Sequence, residues 1–250
     1  MSRPNRWPRR ARSGIEPLRR PRTKDEALIH LELVDTADLP DGGTLRLMRR
    51  GEDFSILFGR NELMSSRLRG SEEALATLAC QKLRGPTPCL LIGGLGMGFT
   101  LRAALAALPA GARIVVAELV TEIVTWARGP LAHLFDGSLA DPRVKVRVKD
   151  VHSLICAPDA AFDAILLDVD NGPDGLIHLA NDRLYDKHGL RMAHRALVPG
   201  GVLAIWSAYP DAAFAERLRA TGFVVEEVKV RADGGRKGGH HIVWLAVKPR

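Results

Sequence analysis

Residues 89–105, CLLIGGLGMGFTLRAAL, constrain the fold more than any other part of this sequence. A short apolar run stops at Gly93-Gly94, passes through Leu95-Gly96-Met97-Gly98 and resumes with helical spacing. A strand, a glycine turn and a helix in immediate succession open a βαβ unit: glycine permits the tight turn, and the backbone can then approach a ligand at the helix N-terminus. Gly93, Gly94, Gly96 and Gly98 are therefore candidate cofactor-binding residues.

The segments that follow repeat the alternation. RIVVAEL, RVKVRVKD, FDAILLDVD and GVLAIWSA read as strands, separated by the helical patterns VTEIVTWAR and LYDKHGLRMAHRAL, and after the helix DAAFAERLRATG the runs VVEEVKVR and HIVWLAVK form a last pair. This predicts an α/β fold with a mostly parallel sheet covered on both faces and ligands at the carboxyl ends of its strands. Leu101, Leu105, Leu108, Ile123 and Val124 fall at helical spacing and are expected in the core. Upstream, ALIHLELV, TLRLMRR and FSILF are β-rich runs broken by Pro40-Asp41-Gly42-Gly43 and Gly51-Glu52-Asp53, the pattern of a small antiparallel unit. Ser71 before Glu72-Glu73 marks a helix start, and Gly85-Pro86 its end. The expected division is a basic tail over 1–24, a β unit over 25–70 and a Rossmann-like domain over 71–250.

Charge locates possible partners. The 250 residues hold 36 Lys and Arg against 29 Asp and Glu, but nine of those bases lie in residues 1–24 beside Glu16 alone. The rest is nearly neutral, so nucleic-acid binding is expected only through the proline-rich, apolar-poor tail, which reads as a disordered, solvated extension. No run approaches the ~18 apolar residues of a membrane span, which predicts a protein without membrane attachment. Cys80, Cys89 and Cys156 form no paired spacing, and His178, His188 and His194 no HExxH; no disulfide framework and no metal are expected, and a reducing cytoplasm fits.

Four strand ends carry candidate chemistry. Glu118 ends RIVVAE, 24 residues beyond Gly94, where an acid can accept the hydroxyls of an adenosine ribose, with Leu119 beside it. Asp150 ends the next strand and, with Val151, is placed for adenine and its exocyclic amine. Asp168 follows a continuous apolar run, and a carboxylate there is costly to bury without a partner or substrate. Asp170 and Asn171 follow in a composition that equally suits a turn. Trp206, at the end of GVLAIWS, is a candidate lining residue for an acceptor. His240-His241 reads as the start of the last strand.

From about Arg46 onward this ordered set resembles the spermidine synthase family, a branch of the class I S-adenosylmethionine-dependent methyltransferase fold. LLIGGLGMG is similar to the family's LIIGGGDGG, VVAEL to its ribose motif, VKD to its adenine motif and FDAILLDVDNGP to its DSSDPxGP-like catalytic loop. The resemblance implies a seven-stranded Rossmann-like domain after a small N-terminal β unit, a homodimer, a small amine as acceptor and S-adenosylmethionine or its decarboxylated form as co-substrate. It also implies a pocket-lining role for Tyr185, and catalytic roles for Asp168 with Asp170 or Asn171.

Two departures bear on the reaction. Gly96 stands where the family has an Asp near the amino end of the decarboxylated donor, and DVDNGP is two residues shorter than the family loop. A backbone-only turn at Gly96 would welcome the carboxylate of intact S-adenosylmethionine, so the sequence favours methyl transfer to a small amine. Aminopropyl transfer to putrescine is the alternative, and a catalytically inactive nucleoside- or RNA-binding protein is the reading from another class.

Overall fold

Cys89–Gly93 (β5), Arg113–Glu118 (β6), Phe162–Leu167 (β8) and Leu197–Ser207 (β9) each carry a short apolar run, and they lie side by side inside a seven-stranded sheet. The computed structural model describes residues 30–40, 42–169, 181–235 and 239–250; the basic segment 1–24 lies outside them. Val144–Val148 (β7), Val224–Arg231 (β10) and His240–Val247 (β11) complete the order β10-β11-β9-β8-β5-β6-β7. β5 to β9 pair in parallel, while β11 runs antiparallel to both β9 and β10. Strand order reverses between β5 and β8, which opens a crevice at their carboxyl ends.

Side chains alternate across this sheet and build a core on each face. Leu90 and Ile92 join one cluster with Leu101, Leu105, Leu108, Ile123 and Val124, and Leu91 joins the other with Ile165 and Leu167. The helices covering the faces are Gly70–Lys82 (α1), Phe99–Ala107 (α2), Thr121–Arg128 (α3), Ala132–Phe135 (α4), Val151–Ile155 (α5), Asp182–Tyr185 (α6), Lys187–Ala196 (α7) and Ala212–Ala220 (α8).

Glu32–Asp38 (β1), Thr44–Arg50 (β2), Phe54 and its neighbours over Asp53–Phe58 (β3), and Asn61–Ser65 (β4) form a separate antiparallel sheet in that order. β4 is a strand that the sequence pattern does not single out, because five residues with Asn and Glu outermost carry little alternation. The small sheet shares its core with the large one: Leu45, Leu47, Phe54 and Ile56 lie in the same cluster as Leu90 and Ile92. The indole N–H of Trp126 on α3 donates to Asp35 Oδ2 at 2.7 Å and ties the two together.

Two local expectations are corrected. LYDKHGLRMAHRAL is two helices rather than one, broken at Asp186, whose carboxylate caps α7 by accepting the Gly189 amide at 2.7 Å. Ser71 does not cap α1: the helix begins at Gly70, and the preceding residue, Arg69, makes no side-chain cap. Gly70 is required because a Cβ there would stand 1.9 Å from the amide nitrogen of Gly234. The hydroxyl of Ser71 is engaged elsewhere.

Candidate active site

A cavity of about 360 Å³ lies at the carboxyl ends of β5, β6 and β8, closed on one side by the small sheet. That volume fits a nucleoside-sized ligand. Gly94, Gly96, Glu118, Leu119, Asp150, Val151, Asp168 and Trp206, all expected in the site, line it.

The glycine turn is shaped by what presses on it. Gly94 has φ +87, and a Cβ there would meet the Asp168 carbonyl oxygen at 2.3 Å, so only glycine lets β5 and the end of β8 come together. At Gly96, with φ +47, a Cβ would lie 2.7 Å from Met64 Cε; the sulfur end of this β4 side chain fills the place a side chain would take.

The turn's amides are already occupied. The Gly94 amide donates to the Ala117 carbonyl, Leu95 to Glu118 Oε2 at 2.9 Å, Met97 to Met64 Sδ at 3.1 Å and Gly98 to the Leu95 carbonyl, while Gly96 also reaches Glu118. This overturns the argument that Gly96 offers free N–H groups to a donor carboxylate. The physical reason is Glu118, which draws the turn onto itself.

Glu118 is buried, and its second oxygen accepts the Val120 amide at 2.8 Å. Burial raises its carboxyl above the ordinary range, against the pull of these amides. A carboxylate offers about four lone-pair positions, and the amides of Leu95, Val120, Leu119 and Gly96 all reach this one, so a ribose hydroxyl would have to share them. Asp150 is less free than expected: Oδ1 caps α5 through the His152 amide at 2.8 Å, and Oδ2 pairs with Arg183. Val151 is buried beneath it.

Asp168 follows β8 directly, with its amide on the Gly93 carbonyl and Oδ2 accepting the Thr100 hydroxyl at 2.7 Å. Burial pushes its carboxyl up, to about 6, while the Thr100 bond works in the other direction. Asp170 and Asn171 lie outside the described residues. Tyr185 is not in the site: it is 1% exposed in the second core cluster, edge-on to Phe214 at 5.9 Å, because α6 turns it inward.

The structure adds residues that sequence pattern assigns to other duties. Glu72, on the first turn of α1, lines the cavity and is 9% exposed; burial and the charge of Asp168 push its carboxyl up to about 7. The Ser71 hydroxyl donates to Glu72 Oε2 at 2.6 Å, and His241 Nδ1 lies 2.9 Å from the same hydroxyl. His241 does begin the last strand, one residue in, and it also stands in the cavity edge-on to Trp206 at 4.6 Å. The buried Trp206 indole N–H has no hydrogen-bond partner among the described residues. Of the described side chains lining the cavity, Glu62, Glu72, Glu118, Asp150 and Asp168 are acids, and Lys149 is the one lysine. Among the described residues no group of three or more His, Cys, Asp or Glu is placed to hold a metal ion, and no helix is long and apolar enough to cross a membrane.

A reversing parallel sheet with a glycine turn and a strand-end acid over a nucleoside-sized cavity is the arrangement of a Rossmann-like domain of the class I methyltransferase fold. The spermine/spermidine synthase domain matches residues 69–212, and the chain belongs to that family. It is 34% identical over 129 residues to a polyamine aminopropyltransferase of Mycobacterium tuberculosis (strain ATCC 25618 / H37Rv), a match covering 50% of this chain and 24% of the relative. A polyamine aminopropyltransferase of Nitrosomonas europaea is 32% identical over 120 residues, covering 48% of this chain and 35% of the relative. The match thus spans at most about a third of these relatives' lengths. Among solved structures, a spermidine synthase from Thermotoga maritima superposes with a TM-score of 0.70 at 17% identity, covering 86% of this chain and 72% of that one. Human methyltransferase-like protein 13, in complex with SAH, gives 0.54 at 21% identity over 72% of this chain and 82% of that one. Both likenesses concern the fold.

Proposed function

We propose that this chain transfers an aminopropyl group from decarboxylated S-adenosylmethionine to a small diamine such as putrescine. The observation that carries this reading is the convergence of Glu72 and Asp168, from α1 and the end of β8, on one end of the cavity. Two carboxylates held in partial burial repel the carboxylate of intact S-adenosylmethionine and attract an ammonium group. Lys149, which could offset them, stands beside Asp150 at the end of β7. The relatives' names point the same way, and with the turn's amides occupied nothing favours methyl transfer.

The nucleoside rests against Glu118 and Leu119, with Asp150 and Val151 toward the adenine. A sulfonium donor is already activated, so the protein's task is in-line positioning and removal of one proton. The amine nitrogen bonds to the propyl carbon, the carbon–sulfur bond breaks with its electron pair going to sulfur, and methylthioadenosine leaves. Asp168 accepts the proton, its oxygen Oδ2 steadied by Thr100; a carboxyl raised by burial is a better base for an amine than an ordinary one.

The test is product analysis after incubation with putrescine and either donor. Methylthioadenosine from the decarboxylated donor is expected. S-adenosylhomocysteine from the intact donor would replace this reading with methyl transfer, and nucleoside binding without either product would mark a binding protein.

A further inference from the structure

Glu72, Ser71 and His241 form a hydrogen-bonded file of which the reaction as described uses only the charge of Glu72. Three features set it apart from an ordinary helix start. Ser71 is 1% exposed, yet its hydroxyl makes no helix cap; it bridges Glu72 Oε2 at 2.6 Å and His241 Nδ1 at 2.9 Å. The file joins α1 to β11 through Ser71 and His241, 170 residues apart, and its ends meet at the cavity wall. Finally, Gly96 offers no side chain of its own, and the end of Met64 lies 2.7 Å from where its Cβ would stand, so a carboxylate on this side of the cavity is supplied by α1 and not by the turn.

We propose that Glu72 recognises an ammonium group of the substrate pair, and that Ser71 and His241 position it. With the Ser71 hydroxyl donating to Glu72, His241 Nδ1–H donates to Ser71, and one oxygen of Glu72 is held in place. An oriented carboxylate in a partly dry cavity binds a cation through charge-assisted hydrogen bonds that a mobile surface carboxylate cannot match. The charged or titratable groups facing the file are Asp168 at the end of β8, Glu73 on α1 and His240 on β11. His241 is a positioning residue, since it touches Glu72 only through Ser71.

The inference rests on the aminopropyl reading and deepens it, and the test separates the two. Calorimetric titrations use the full chain with three probes: methylthioadenosine, which has the nucleoside but no ammonium; decarboxylated S-adenosylmethionine; and putrescine added to the methylthioadenosine complex. Glu72→Gln is expected to weaken one ammonium-bearing probe by about tenfold or more while leaving methylthioadenosine within about twofold. Loss in the second probe assigns Glu72 to the donor's amine, and loss in the third to the acceptor's. His241→Gln is expected to move the pH at which that probe's affinity rises, without changing methylthioadenosine binding; an unshifted profile would overturn the positioning role. Equal weakening of all probes by Glu72→Gln would show a structural role and overturn the inference. Wild-type protein that binds methylthioadenosine but neither ammonium-bearing probe would overturn the aminopropyl reading along with it.

Discussion

The Leu95 amide donates to Glu118 Oε2 at 2.9 Å, so the strand-end acid and the glycine turn are one unit. Glu118→Ala leaves the Leu95 and Val120 amides without their acceptor in a buried place, at ~1–3 kcal/mol for each unsatisfied donor. The two donors together cost ~2–6 kcal/mol, so thermal unfolding is expected to show a Tm lower by at least about 4 °C and up to ~24 °C, from ~2–4 °C per kcal/mol in a chain of this size. Calorimetry is expected to show no methylthioadenosine binding, and Glu118→Gln, which keeps an acceptor, to fall between. Unchanged nucleoside affinity in the alanine variant would remove Glu118 from the site.

Met64 and Gly96 are predicted to be coupled. Gly96→Ala forces a side chain into left-handed backbone, at ~1–2 kcal/mol, and against Met64. In the double variant with Met64→Ala the second part is relieved, so a double-mutant cycle should show the pair less destabilised than the sum by ~1 kcal/mol. Strict additivity would show that the contact does not shape the turn.

The pH dependence of stability follows from Glu72 and Asp168. Their carboxyls lie at about 7 and about 6 in the folded chain, above ordinary values of 4.5 and 3.8. Each therefore contributes stability that is fully present below its ordinary value and is lost as pH rises through its folded value. Between pH 5 and pH 8 these two carboxyls lower the stability of the ligand-free protein, while His152, His194, His240 and His241, whose pKa values are lowered, chiefly by desolvation, raise it. Relative to wild type, the Tm of Glu72→Gln is therefore expected to fall less, or rise more, across this range. The ion pair of Asp141 with Arg143 does not interfere, because the Asp141 carboxyl is held down at about 2 and titrates below this window. A Tm difference between Glu72→Gln and wild type that stays constant from pH 5 to pH 8 would contradict the assignment.

Asp168 is predicted to act on turnover more than on nucleoside binding. Asp168→Asn should lower kcat by ~10²–10⁴-fold, the usual contribution of a positioned base, with methylthioadenosine affinity little changed. Thr100→Val removes the hydroxyl that lowers the Asp168 carboxyl, so the rising limb of the pH–rate profile should move to higher pH. Loss of both binding and turnover in Asp168→Asn would instead place this residue in the nucleoside site.

What the sequence determines by itself is everything that repeats with a local period or sits at a strand end. The central strands are legible because a strand buried on both faces is a continuous apolar run, and Gly94, Glu118 and Asp168 are legible because each lies where such a run stops. Tertiary structure alone decides which distant residues meet those ends. Antiparallel pairing of β11 with both β9 and β10 sets His241 opposite Val230 and one residue from the Ile242–Ser207 pair, which brings it to Ser71. Packing turns Tyr185 into the core rather than the cavity, and lays Met64 over Gly96. A hydrogen bond between residues 71 and 241 has no signature along the chain, because its geometry depends on strand order and register, not on spacing.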